Sequence, residues 1–413
     1  MITIIFLAIS FLMIVFQRYR EGRWINLISL LVTPYLLIVF FNNFYVYKLG
    51  FYKISDSVIA MLLMAFVAFF LGTLLFTQKT KPHAEENNLQ ALRRYDMKRI
   101  KCFLYIVGVI GIIKAFFLYK QGILLNDMDD SEGIMGNGIV AHMLLASYSV
   151  LPIYFLNWTY NKTIKDLVPV ILVIIVAFSS FVKYNVIGPI VTLFIFISFY
   201  RKSLLKKASI VMLLFVLIVF VSNYAIDFTV AGNELESSFL LGHFWKYFSG
   251  SIIYDNYIFT SGIRTDIGLP SKVLVFIFAL PNMFISKLFD EGIFQHVGQE
   301  LRDVSDFGEQ SNVVDVIGYL YPSKGEVSDI ILFLLFLFFM GVLFSYLYKK
   351  HFSKSTVFDT FIANFLTYFV FLSFFAPFYV LSNPWEIIIW ALFLPPLFYK
   401  RNLKTNKYGN KPV

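Results

Sequence analysis

The chain has 413 residues, of which 58% are apolar, 19% aromatic and only 15% charged. A soluble domain is nearer a quarter charged, and a mean hydropathy of +0.72 means more apolar surface than one soluble core can hide, so soluble enzymes, disulfide scaffolds and disordered proteins are excluded. With a single cysteine, Cys102, and a net charge of +9, what is left is a polytopic membrane protein without an internal disulfide or a thiolate metal cluster.

Crossing a ~30 Å hydrocarbon layer takes roughly 15 to 20 apolar residues. Such runs occur at 2–16, 24–41, 57–76, 102–119, 139–156, 167–182, 186–200, 208–225, 329–348, 357–380 and 385–399. They predict about eleven transmembrane helices in an all-α fold. The first run lacks a preceding basic residue and a small-x-small cleavage site, so it is expected to be a span rather than a signal peptide. Basic residues orient the chain. Arg18, Arg20 and Arg23, then Lys98, Arg99 and Lys101, then Arg201, Lys206 and Lys207, Lys349 and Lys350, and the C-terminal tail all fall on one side. Of the 35 Lys and Arg, 24 lie there. That side is expected to be the cytoplasm, with the N-terminus outside and the C-terminus inside. The positive charge is then a topology signal, and no nucleic-acid partner is expected.

The rhythm breaks once. Residues 1–225 are expected to carry eight helices with short loops, 226–328 one large outer loop, and 329–413 three more helices with a basic tail. Inside the loop, an apolar run at 273–285 is bracketed by Lys272 and Lys287 and interrupted by Pro281-Asn282. It is too short to span comfortably, and a span there would invert every later loop, so 272–287 is expected to re-enter or lie flat on the outer surface.

Irregular loops of this size usually carry function. This one holds thirteen acidic and six basic residues with Trp245 and several tyrosines interleaved. That mixture suits sugar faces, and it equally suits an exposed loop at a lipid interface. Of ten arginines, only Arg264 and Arg302 lie outside the basic loops and tail. A guanidinium fork suits a diphosphate, and each is also placed for a local ion pair, with Asp266 and Asp303 respectively. Lys246 is a third cation of the loop. A short helix over 295–303 would put His296 and Glu300 on one face, where a carboxylate-oriented histidine can act as a general base for a sugar hydroxyl. Asp255, Glu309 and Asp315 are alternative bases. His243, among aromatics, is expected to pack. Asp127-Met128-Asp129 has a spacing some glycosyltransferases use to hold a cation, but it sits in an acidic loop expected to be solvated. Lys114, Lys183 and His142 near outer span ends either line a cavity or snorkel.

Two stretches carry a resemblance. Lys246-Tyr247-Phe248-Ser249-Gly250-Ser251-Ile252-Ile253-Tyr254-Asp255-Asn256-Tyr257-Ile258 resembles the outer-loop motif of oligosaccharide repeat-unit polymerases, the O-antigen (Wzy-type) polymerase family. Ser311-Asn312-Val313-Val314 through Tyr319 and Gly325, ending at Phe344-Ser345-Tyr346-Leu347-Tyr348-Lys349-Lys350, is similar to that family's end-of-loop pattern. The turn Pro322-Ser323-Lys324-Gly325-Glu326 departs from the family's Asp-Phe-Gly element. The resemblance covers about 50 residues in its motifs, and the span pattern agrees over the whole chain.

The resemblance implies a multi-pass glycosyltransferase of the bacterial inner membrane with a GT-C-like architecture and a periplasmic loop. Such enzymes transfer a glycan from undecaprenyl diphosphate to the terminal sugar of another lipid-linked repeat unit, in lipopolysaccharide or related polysaccharide biosynthesis. Arg264, Arg302 and Lys246 would hold the diphosphate, and His296, Glu300, Asp315 or Asp255 would serve catalysis. No metal or cofactor is implied. The partners expected are the lipid-linked oligosaccharide, membrane lipids and a polysaccharide chain-length regulator. An O-antigen ligase acting on lipid A core is the first alternative. A lipid-linked oligosaccharide flippase is the second, for which Lys114, Lys183, Asp359 and Glu386 would be the charged residues within the spans.

Overall fold

The computed structural model describes residues 1–76, 92–121, 138–179, 183–230, 237–260, 301–322, 326–353 and 359–400, with a few isolated positions between 272 and 289. The protein is mostly helical. Its helices are α1 Ile2–Glu21, α2 Leu27–Phe44, α3 Asp56–Thr73, α4 Met97–Lys120, α5 Gly138–Asn161, α6 Ile164–Phe178, α7 Lys183–Tyr200, α8 Leu205–Val230, α9 Ser237–Thr260, α10 Val316–Leu320, α11 Val327–Ser353, α12 Asp359–Phe369 and α13 Ser382–Leu397. Among the described residues six are long and apolar enough to cross a membrane: α1 to α5, and α11 over Val327–Lys350. The whole is a multi-pass membrane protein in architecture, and each of the eleven apolar runs overlaps a helix.

Local signals set the helix ends. Gly22 closes α1 in the left-handed region at φ 71. Asn26 caps α2 reciprocally with Ser29, through two 2.9 Å bonds. Ser55 and Asp96 cap α3 and α4.

Helices pair by close backbone approach. α3 packs along α11, where Gly72 and Gly341 face each other's helix. A Cβ on Gly72 would lie 2.0 Å from the Phe338 carbonyl oxygen, and one on Gly341 would lie 2.2 Å from that of Phe69. Small residues at such crossings are how helices gain dispersion contact where lipid removes the hydrophobic drive. Inside the α7–α12 contact, Thr192 donates to Thr367 at 2.9 Å and Asn364 donates to the Thr360 carbonyl at 2.8 Å.

The basic loops meet at one end of the bundle. Arg20 donates to the Leu74 carbonyl, Tyr348 to that of Ile25, and Arg201 to that of Thr159. Lys101 pairs with Asp166 at 2.6 Å, and the backbone at Tyr95 bridges to Tyr399.

Two expectations need correction. The segment 357–380 is not one helix. α12 stops at Phe369, and 3₁₀ turns follow at Phe371–Phe374 and Phe378–Val380 around Pro377. The segment 226–328 is not irregular throughout either: among its described residues it carries regular elements. α8 runs on to Val230, and then come the 24-residue α9, a short antiparallel hairpin of β1 Arg302–Asp303 with β2 Gln310–Ser311, and α10.

Candidate functional site

α9 organises the end of the bundle opposite the basic loops, because each of its faces has a different partner. Trp245, Ser249, Ile252 and Asn256 form the stripe toward α2 and α3. Trp245 Nε1 donates to Asn42 at 3.1 Å, while Asn256 accepts from the Ser55 N–H at 2.8 Å and donates to the Lys53 carbonyl at 2.8 Å. Phe244, Tyr247, Phe248 and Ser251 turn to the 3₁₀ segment. There Tyr247 stacks on Phe375 at 6.3 Å, and the Ser251 hydroxyl donates to the Phe374 carbonyl at 2.5 Å.

His243, Lys246, Gly250 and Tyr257 form a third stripe, at i, i+3, i+7 and i+14, and the hairpin lies along it. Glu309 sits at His243 and Lys246. Ser311 sits on Gly250, and Tyr257 donates to the Asp303 carbonyl at 2.7 Å. The hairpin is also tied to the α2–α3 connection, where Tyr52 N–H donates to Val304 and Asp306 N–H to Gly50, at 3.0 and 2.7 Å. Phe307 meets Phe51 edge-on at 5.1 Å.

At one end of this stripe a single carboxylate is held by two nitrogens. Lys246 Nζ is 3.0 Å from Glu309 Oε2, and His243 Nδ1 is 3.2 Å from Oε1. A carboxylate only accepts, so Nδ1 is the donor. Burial pushes the Glu309 carboxyl up, but the bonds from Lys246 and His243 outweigh it and hold the group below the usual range. The expectation that His243 merely packs is therefore corrected. It contacts the Tyr247 ring at 5.4 Å, yet its nitrogen is aimed at Glu309.

Arg302 stands at the other end, with its guanidinium 5.9 Å from the Tyr257 ring. The short helix expected across 295–303 is not formed at its described end, since Arg302 and Asp303 are strand residues. Strand alternation puts them on opposite faces, and the Asp303 carboxylate accepts from Gln310 at 2.8 Å instead. Lys246 and Arg302 thus meet α9 eleven residues apart, roughly 16 Å along a helix rising 1.5 Å per residue.

Asp255 and Asp315 are brought together. Both are fully buried, at 0% exposure, and close enough for each to act on the other's carboxyl. Burial raises the Asp255 carboxyl well above its ordinary value, and the neighbouring Asp315 adds to it. Burial pushes Asp315 up to about 7 against the opposing bonds from the Gly318 N–H, Asp255 and the Ile317 N–H. Asp315 is also the N-cap of α10, accepting from Gly318 N–H at 2.7 Å. Lys272 closes the other end of that helix, donating to the Tyr321 carbonyl at 3.0 Å. Burial lowers this lysine to about 8. The cap at the start and the cation at the end match the helix dipole.

Beside the third stripe lies an apolar cleft of about 210 Å³ between α7, α8, α9 and the 3₁₀ segment. Val191, Val216, Phe244, Tyr247, Phe248 and Phe375 are among its walls. Elsewhere, His142 Nδ1 and Glu386 join α5 to α13 at 2.8 Å, and Glu386 also accepts from Trp390 at 3.0 Å. Arg264, His296, Glu300 and Asp127 to Asp130 lie outside the described residues.

No protein-family model matches the chain, and neither a characterised protein nor a solved structure is significantly similar to it. Sequence reasoning named Lys246 and Glu309 but not their pairing. A helical reading of His243 and Lys246 at i, i+3 would have put both cations on one face.

Proposed function

We propose that the protein is a membrane glycosyltransferase that polymerises lipid-linked oligosaccharide repeat units at the outer face of the bacterial inner membrane. Glycan passes from undecaprenyl diphosphate to the terminal sugar of another lipid-linked unit. The observation that carries this proposal is the adjacency of the apolar cleft and the Lys246–Glu309–His243 cluster. Phe244, Tyr247 and Phe248 wall the cleft, and His243 and Lys246 alternate with them along the same turns of α9. An amphiphile with a long hydrocarbon tail and an anionic head needs that pairing of surfaces.

In this scheme the cleft takes the polyprenyl chain, and Lys246 neutralises diphosphate charge as the glycosidic bond to the carrier breaks, while Arg302, roughly 16 Å further along α9, is too distant to share that diphosphate. The acceptor hydroxyl loses its proton to a nearby base. Asp255 and Asp315, being buried against each other, act as a support under α10 rather than as groups in contact with sugar.

The test is the glycan length ladder in the source organism with the gene deleted and complemented. Collapse to one repeat unit on lipid A core supports the polymerase. Core without any repeat, while carrier-linked chains still grow, would indicate the ligase. An unchanged ladder refutes both.

A further inference from the structure

We propose that His243 and Lys246 form an anion site that Glu309 occupies as a built-in stand-in until a phosphate-bearing group displaces it. This rests on the proposed use of Lys246 at a diphosphate, and it adds a second ligand and a resident competitor.

The geometry resembles a captured anion more than a surface ion pair. Two nitrogens one helical turn apart grip the two oxygens of one carboxylate, at 3.0 and 3.2 Å. The three side chains are largely shielded, at 24%, 16% and 13% exposure for Lys246, His243 and Glu309, so the interaction is less screened than at an open surface. The backbone around Glu309 is fixed independently of its side chain. Its N–H donates to the Ser305 hydroxyl at 2.9 Å, and its carbonyl accepts from Val304 N–H at 2.7 Å. Rotating the Glu309 side chain away therefore leaves the hairpin in place and exposes both donors beside the apolar cleft. The donors charge-match a phosphate as well as a carboxylate, and a diphosphate brings more charge than Glu309 gives up.

The test is binding to purified full-length protein in nanodiscs, with three probes: inorganic diphosphate, farnesyl diphosphate and farnesol. Removing the competitor with Glu309→Gln is expected to tighten diphosphate binding about tenfold, and Lys246→Met is expected to abolish that gain. If farnesyl diphosphate gains and inorganic diphosphate does not, the ligand is a lipid headgroup. If both gain equally, the phosphate group alone suffices. Unchanged or weaker binding of both farnesyl diphosphate and inorganic diphosphate in Glu309→Gln, or an equal gain for farnesol, overturns the proposal. Should Glu309→Gln fail to fold, Glu309→Asp withdraws the carboxylate by one methylene and must shift affinity the same way. An unchanged glycan ladder in the gene deletion, with this gain intact, would sink the glycosyltransferase and leave the anion site standing.

Discussion

Asp255 rests directly on Gly318, the residue whose N–H is bound by Asp315. A Cβ at Gly318 would lie 2.1 Å from Asp255 Oδ1. The buried carboxyl pair and the start of α10 are therefore one unit, in which the cap, the glycine and the two carboxyls depend on each other.

The pair makes stability fall as pH rises. Both carboxyls have folded-state values above their unfolded ones, so the folded protein binds the extra proton. The contribution is complete near pH 4 and is lost as pH climbs through about 7, the value for Asp315. In that window each proton involved costs about 1.4 kcal/mol per pH unit. The detergent-solubilised protein should melt at lower temperature at pH 8 than at pH 5. Asp315→Asn, which keeps a capping oxygen, should flatten that dependence. A wild-type melting temperature that climbs from pH 5 to 8 would show the pair to be ionised.

Gly318→Ala should destabilise this end of the bundle by about 1–3 kcal/mol, because the added methyl overpacks against a carboxyl with nowhere to go. Adding Asp255→Ala should recover most of that loss, which a double-mutant cycle on melting temperature reads directly. Additive effects would mean that the two residues do not touch.

Gly341→Leu should separate α3 from α11, because four added carbons face the Phe69 carbonyl. Protease resistance of the detergent-solubilised protein should drop sharply, whereas Leu335→Ala, on the exposed side of α11, should leave it unchanged. Equal resistance in both variants would contradict the close crossing.

Val216→Trp fills the apolar cleft from α8 without altering a charged group. Under the proposed function it should shorten or abolish the glycan ladder at normal expression and unchanged melting temperature. A full ladder in that variant would remove the cleft from the donor site.

The helical architecture was legible because apolar runs report burial in lipid or protein directly. The tenth run misled for the same reason. Apolar residues continue through the end of α12 at Phe369 and across both 3₁₀ turns, and Pro377, the one strong helix breaker, stands eight residues past that end. α9 was missed because it has partners on three sides. Its stripes at 245, 249, 252 and 256 and at 243, 246, 250 and 257 mix aromatic, hydroxyl and charged residues, so no single apolar face stands out. The Lys246–Glu309 contact joins residues on different elements, beyond the reach of helix spacing rules, and the Asp255–Asp315 pair is likewise a product of the tertiary fold. Arg302 was expected to lie in a helix with His296, and its strand follows from pairing with Ser311.

The Gly72–Gly341 crossing also bears on how the protein is made. The two glycines are separated by about 270 residues of chain, and at ~5–20 residues per second that is roughly 15–50 s of synthesis. For that interval the notch at Gly72 on α3 lacks the helix that fills it, while α4 to α8 are being made. The bundle is closed late, by α11, and a chain truncated before Gly341 would leave α3 without its main partner however well the earlier helices had inserted.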